Sequence, residues 1–270
     1  MAIDPFRRGK MGRAQDDLRT RLQDAASRRG AVAFGIASVD EADGLPPVKI
    51  GYTINRYSKT IRSTMPEAKS VIVVGVPSID DADELAIERR PGRWSYPGYF
   101  SLMLAERDLI KLLRDEGYRA DYPSELASYK RLAILAGIGG YGKNSMLISP
   151  RHGPWLRLGA VVTDAELPLD APFIRDLCGR CRRCVDACPT RALTPYIVDS
   201  NRCLVGASIR TVVPRNLKPL LSANEPQLTP RTHIMCTKCQ QVCQYTTLER
   251  RKSSYSRRKA GRPRRRTKGR

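Results

Sequence analysis

Cys178-Gly-Arg-Cys181-Arg-Arg-Cys184-Val-Asp-Ala-Cys188-Pro189 is the stretch that decides how the second half of this chain folds. Its spacing, C-x2-C-x2-C-x3-C-P, is the bacterial ferredoxin run, in which the fourth cysteine ligates the other cluster of a pair. A partner set follows as Cys203 and then Cys236-Thr-Lys-Cys239-Gln-Gln-Val-Cys243. These are all eight cysteines of the chain, and eight thiolates are what two 4Fe–4S cubes require. Cys178, Cys181 and Cys184 can curl round one cube in a tight loop. Cys188, one helical turn further on, then points towards a second. By the same logic Cys203, Cys236 and Cys239 complete that second cube with Cys188, and Cys243 returns to the first. Two zinc sites are the alternative, since C-x2-C pairs also serve zinc. A disulfide framework belongs to oxidising compartments and does not suit a chain in which no secretory leader is read. Gln244 stands where the second run would carry proline, a position that shapes the turn and supplies no ligand.

At 270 residues the chain has room for a real core and for two compact units. Its longest apolar runs, Val71–Val76 and Leu132–Gly137, fall far short of the roughly 20 residues a membrane span needs. The expectation is therefore a soluble cytoplasmic protein, in a compartment where thiols stay reduced. The net charge is +21, unevenly spread: twelve basic residues and no acidic one fall between Arg250 and Arg270, leaving +9 for the rest. Without apolar periodicity, residues 249–270 read as a disordered tail, and residues 1–13 as a disordered N-terminus. Such a tail suits attraction to RNA or DNA through phosphate contacts, and equally a solvated appendage, because it has no base-reading element.

Between these ends the pattern alternates. Leu18, Leu22 and Ala25–Ala26 give a first amphipathic helix over Asp16–Arg29, ended by Gly30, and Ala31–Ile36 follows as a short strand. Tyr57–Thr64 reads as a helical turn. Ser70–Val76 is β-branched densely enough for a buried central strand. Asp80–Tyr96, charged and bearing Pro and Gly, reads as a surface excursion. Ser101–Glu116 is a helix with Leu102, Leu109 and Leu113 on its apolar face, and Leu126–Ala136 is another. Met146–Ile148 and Leu156–Thr163 are strands. The fold class is α+β: an N-terminal α/β domain over 14–168, then a ferredoxin-like domain holding two clusters over 169–248.

Between the last helix and the next strand lies Ala136-Gly-Ile-Gly-Gly-Tyr-Gly-Lys143-Asn144. It matches neither G-x4-G-K-[ST] nor a strand-borne G-x-G-x-x-G, so it is no ordinary phosphate loop. Its glycines would let backbone approach a bulky planar ligand, with Lys143 and Asn144 at the ligand's edge. Ala136-Gly-Ile-Gly, Gly142-Lys-Asn-Ser, Pro150, Gly153, Trp155, Leu158-Gly and Thr163-Asp164, followed by the double cysteine run, resemble the epoxyqueuosine reductase family, which shares its cluster domain and fold core with the reductive dehalogenases. The resemblance covers roughly Ala31 to Tyr245. It implies a cobalamin-dependent reductase whose two clusters pass single electrons to the corrinoid, which then drives loss of an oxygen from a modified tRNA base. It also implies an external electron donor of ferredoxin or flavodoxin type, and a corrinoid site at Gly137, Gly139, Gly142, Lys143 and Asn144.

The chain departs from that family in places. Seven residues before Ala136, where the family carries an acid, stands Tyr129. Reductive dehalogenases are similar in using a tyrosine as proton donor, so Tyr129 is the first candidate, with Asp121 and then Glu125 as alternatives; helix packing is its bland reading. Gly140 replaces the aromatic residue usual in the loop. No Asp-x-His-x-x-Gly corrinoid ligand motif is present, and of the two histidines His152 reads as a surface residue and His233 as a loop residue near a cluster. Two other functional classes remain open: an electron carrier without substrate chemistry, and a nucleic-acid-binding protein with structural clusters. The cluster reading has an elemental consequence. Purified without oxygen, the protein should be brown and carry about eight irons and eight sulfides per chain; a colourless protein loaded with zinc would refute it.

Overall fold

A computed structural model describes residues 5–50, 56–210 and 212–253. Its organising element is the strand Ser70–Pro77, flanked antiparallel by Ala33–Ser38 on one side and Leu156–Thr163 on the other, with the short Ala120–Asp121 beyond. Every residue of Ser-Val-Ile-Val-Val-Gly-Val is buried because both sheet faces are covered. Side chains alternate across the sheet, so Ile72 and Val74 meet Leu18, Leu22, Leu109 and Leu113 from the helices Pro5–Arg28 and Phe100–Asp115. Val71 and Val73 join Leu132 and Ala133 of the helix Tyr129–Leu135 in the second core. Gly35 permits that helix to lie close, since a Cβ there would strike the Ala136 carbonyl.

Several expectations need correction. The first helix begins at Pro5, eleven residues before the predicted Asp16, so the N-terminal stretch read as disordered over 1–13 is helical from Pro5. The Asp80–Tyr96 segment is no loose excursion. Its strands Leu85–Arg90 and Arg93–Ser95 form a hairpin that continues into Thr232–Ile234 and Gln227–Thr229, making a second four-stranded sheet. Thr232 pairs with Ile87 and Ile234 with Leu85, two residues before the ligand Cys236, so this sheet crosses the boundary read at 168/169. The connecting segment is also fastened: the Asp170 carboxylate accepts from the Ile36 N–H at 2.8 Å and from Arg19 at 2.9 Å, and Phe173 N–H donates to the Ile134 carbonyl.

The start of the basic tail is likewise structural. Leu248–Ser253 is helical, and Arg250 is 3% exposed, its Nη1 2.8 Å from Asp81 Oδ1 and its guanidinium 3.8 Å over the Trp155 ring. Trp155 Nε1 donates to Thr246 Oγ1, which donates in turn to the Gln240 carbonyl inside the second ligand loop. The remainder of the predicted tail, 254–270, lies outside the described residues. Removing one partner from a buried pair leaves the other charge uncompensated, so Arg250→Ala should lower unfolding stability by about 3 kcal/mol in a denaturant titration. A loss below about 1 kcal/mol would show the staple to be ornamental.

Candidate iron–sulfur centre and adjoining cavity

The eight cysteines are free thiols, and charge neighbours sort them into two quartets. Cys184 senses Cys178 and Cys243, and Cys243 senses Cys178 and Cys181. Cys236 senses Cys203 and Cys188, and Cys239 senses Cys236, Cys203 and Cys188. The spacing leads to the same groups, though Cys239 is affected by Cys184 ahead of Cys188. Cys239 also senses Cys184, so the two quartets are neighbours. Burial pushes the Cys236 thiol up to about 12 and raises that of Cys239 well above its ordinary value, with the neighbouring thiolates adding to the effect. Sulfurs so placed ionise only if a cation offsets their charge, which is the chemistry of a thiolate set built for iron. A single-ion site would draw its donors together, and among the described residues no three His, Cys, Asp or Glu side chains do so.

The loops around the sulfurs supply donors and caps. Lys143 N–H donates to Cys178 Sγ at 3.4 Å, and Ala192 N–H to Cys188 Sγ at 3.3 Å, contacts of the kind that tune cluster potential. Asp176 accepts from the Cys178 and Gly179 N–H groups, holding the first loop in its turn. Glu225 Oε1 accepts from Cys236 N–H at 3.0 Å while Oε2 lies 3.3 Å from His233 Nε2. His233 is therefore buried beside the second quartet, on the strand Thr232–Ile234, and burial lowers its pKa; His152 sits half-buried in a turn. Gln244, in place of proline, donates to the Leu177 carbonyl at 3.3 Å and ties the second run to the first.

The glycine loop serves packing rather than an opening. A Cβ at Gly137, where φ is +73°, would meet the Ala171 carbonyl at 2.8 Å, one at Gly139 would strike the Ile148 carbonyl, and one at Gly142 would meet Ile148 Cγ1 at 2.6 Å. The bare faces of these residues meet this chain's own backbone and side chains. Above Gly140 lie the Phe173 ring and the Arg175 carbonyl. Lys143 and Asn144 reach the cluster loops instead: Lys143 Nζ donates to the Gly179 carbonyl at 2.5 Å, and Asn144 Nδ2 lies 3.5 Å from the Cys239 carbonyl.

The concave site lies nearby. A cavity of about 400 Å³ is lined by Leu102, Glu106, Tyr129, Lys130, Met146 and Arg157, among others. Lys130 is the link to the clusters: its Nζ donates to the Ser145 carbonyl at 2.5 Å, burial lowers its pKa, and the Cys239 thiolate opposes that shift. Arg157 is buried, ion-paired to Glu84 at 3.2 Å and stacked 4.5 Å over Tyr99. Tyr129, the first candidate proton donor, lines this cavity, and burial and the Glu106 charge push its phenol up to about 12. Asp121 is not brought here. It is exposed on the edge strand, its Oδ1 accepting from Tyr122 N–H, and Glu125 is exposed beside Arg56.

Glu106 is the acid that the sequence reading passed over. It is 7% exposed, accepts from Ala160 N–H at 2.9 Å, and is pushed up to about 7 by burial, with that hydrogen bond pulling the other way. Gly159 makes its room, since a Cβ there would lie 2.5 Å from Glu106 Oε1. The signal was present: Glu106 is an acid on the buried face that carries Leu102, Ala105, Leu109 and Leu113. A charge interrupting an apolar stripe is the feature that finds it.

The eight gathered cysteines and a largely apolar cavity edged by Glu106, Tyr129, Lys130 and Arg157 mark an iron–sulfur oxidoreductase. A family model described as "4Fe-4S double cluster binding domain" matches residues 177–246. The chain is 30% identical over 213 residues to the epoxyqueuosine reductase of Synechocystis sp., covering 72% of this chain and 68% of that protein. It belongs to the epoxyqueuosine reductase family. Among solved structures, an epoxyqueuosine reductase with a tRNA-Tyr epoxyqueuosine-modified stem loop superposes with a TM-score of 0.66 at 21% identity, over 87% of this chain and 66% of that one. A reductive dehalogenase described with a mechanism for B12-dependent dehalogenation superposes with a TM-score of 0.53 at 15% identity, over 86% of this chain and 32% of that one. No helix of the described residues is long and apolar enough to cross a membrane.

The raised carboxyl has a thermodynamic consequence. A Glu106 pKa raised from 4.5 to about 7 means the folded state holds the proton more tightly than the unfolded chain. Its contribution is fully present below pH 4.5 and lost as pH rises through 7, amounting to roughly 3 kcal/mol. The stability of Glu106→Gln relative to the parent should therefore rise by about that amount between pH 4.5 and 8. Parallel stability curves for the two proteins across that range would place the carboxyl in ordinary solvent.

Proposed function

We propose that this protein is a reductase in which Cys178, Cys181, Cys184 and Cys243 hold one 4Fe–4S cluster and Cys188, Cys203, Cys236 and Cys239 the other. Single electrons are delivered to the cavity bounded by Glu106, Tyr129, Lys130 and Arg157. The observation that carries this reading is Lys130, which lines the cavity while its Nζ donates to the Ser145 carbonyl, in the turn whose Asn144 reaches the Cys239 carbonyl. The reaction is the reductive removal of an oxygen from a modified tRNA base, the class to which the relatives' name points. Opening an epoxide to an alkene in this way consumes two electrons and two protons and releases water. Glu106, near half-protonated at neutral pH, supplies a proton, and Tyr129, firmly protonated, holds the departing oxygen. Positive charge over the chain attracts the RNA backbone without choosing a base.

A corrinoid suits the cavity rather than the glycine loop. The walls contributed by Leu102, Met103, Met146, Leu147, Leu156 and Leu158 accept one face of a flat macrocycle, and neither His152 nor His233 lines the cavity. When bound there it would supply a strongly reducing metal centre. Cobalamin added to the anaerobic protein should give a base-off spectrum at micromolar concentrations, whereas no binding would favour an electron carrier without substrate chemistry. Tyr129→Phe and Glu106→Gln should each lower turnover by about 100-fold or more while sparing iron content and corrinoid binding. Full activity in both variants would move the proton source to water. A chain ending at Ser253 keeps Arg250 and should bind tRNA more weakly with a shallower salt dependence, at a similar saturated rate. An unchanged salt slope would make residues 254–270 irrelevant to RNA.

A further inference from the structure

The two ligand loops meet solvent differently. Between the cysteines of the first, Gly179, Arg180, Arg182 and Arg183 all stand exposed. In the second, Thr237 is buried and Lys238, Gln240 and Gln241 are half-covered. The first quartet also lines a shallow hollow with Leu177, Arg183 and Tyr245, while the second faces the reaction cavity: Asn144 Nδ2 lies 3.5 Å from the Cys239 carbonyl, and the adjoining Ser145 carbonyl accepts from Lys130 of the cavity wall. The cluster pair therefore has an outer and an inner end. The chain entering the first loop adds Ile174, 92% exposed, and the exposed Arg175. A lone exposed isoleucine requires no explanation. Set among four exposed guanidinium groups beside a redox centre, it has the composition of an interface core with a charged rim. The local acids offset this only in part: Asp176 is engaged by the Cys178 and Gly179 N–H groups and Tyr196, and Asp186 lies 4.0 Å from Arg182.

We propose that Arg180, Arg182 and Arg183, with Arg175 and Ile174, form the docking surface for a small acidic one-electron carrier protein that reduces the outer cluster. The proposal rests on the reductase reading above and adds the place at which the electron donor docks. One electron leaves the carrier and the cluster gains it, and no bond forms or breaks. Complementary charge raises the encounter rate and makes it sensitive to salt, while the small apolar centre keeps the complex short-lived. A polyanion such as RNA could use the same charges, but exposure concentrated on the ligand loop of the outer cluster favours the electron carrier.

The test uses the full-length iron-loaded protein and photoreduced flavodoxin as the acidic probe, following the bleaching of cluster absorbance in stopped flow. Reversing the three loop arginines (R180E, R182E and R183E together) should lower the second-order rate by about tenfold or more at low salt and flatten its salt dependence. Iron content and reduction by dithionite should stay unchanged. The control variant carries R191E and R202E, at the rim of a separate hollow beside Pro189 and Pro214, and should keep the parent rate. If the triple reversal disturbs iron content, Arg182→Gln and Arg183→Gln singly should give graded losses in its place. An unchanged rate, or a loss confined to the Arg191 and Arg202 variant, overturns the proposal. So does a triple variant that loses affinity for a tRNA stem loop while flavodoxin reduces it normally. A protein without iron would sink the reductase reading, and docking would then be judged from the flavodoxin Kd, which the triple reversal should still weaken by about tenfold.

Discussion

Like charges brought together in a poor dielectric are the constraint on which the second half of this molecule turns. Each cysteine quartet gathers sulfurs whose ionised forms repel one another, and burial deepens the penalty until the Cys236 thiol reaches about 12. Iron removes that penalty. In the proposed ligation Cys243 joins the first run and Cys188 the second, so that each cluster would also close a long loop of chain. That ligation would couple cluster capture to the folding of residues 177–246.

What the clusters cannot fix, the N-terminal unit does. The Leu85–Ser95 hairpin extends its pairing to Thr232–Ile234, Trp155 and Asp81 hold Arg250, and Asn144 reaches the second ligand loop. Between these anchors the turn at 142–146 carries a strain. Ser145 has φ of 62°, a left-handed conformation that a non-glycine residue adopts at a cost. Three hydrogen bonds over-determine it: its N–H to the Gly142 carbonyl, its hydroxyl with Tyr141 Oη, and its carbonyl from Lys130 Nζ. The same serine thereby fixes Lys130, which lines the cavity.

The cysteine spacing was legible because ligation of a cube is a local matter of three or four residues, and Ser70–Pro77 and Leu156–Thr163 were legible because β-branched runs buried on both faces have few other uses. Three features were not. The Asp80–Tyr96 segment looked like a loop because its partner strand lies 145 or more residues away, and composition says nothing of distant pairing. Gly137, Gly139 and Gly142 looked like a ligand cradle because a sequence does not tell whether a bare glycine face meets a ligand or the chain's own carbonyls. Arg250 was counted with the tail because a run of basic residues looks uniform until one of them is found stacked on Trp155.

The chemistry of the cavity follows from one environment acting on two acids of different strength. Burial raises both Glu106 and Tyr129, and the charge of the first further raises the second. The carboxyl lands near 7, where it can give up a proton and recover it from water, while the phenol near 12 keeps its proton throughout. Lys130 adds the complementary term. An electron arriving at the neighbouring cluster makes that cluster more negative, and a fixed ammonium beside Cys239 lowers the cost of its arrival. On the proposed function, Lys130 in the cavity wall and an exchangeable proton on Glu106 would let electron and proton reach the same substrate without a mobile buffer entering the site.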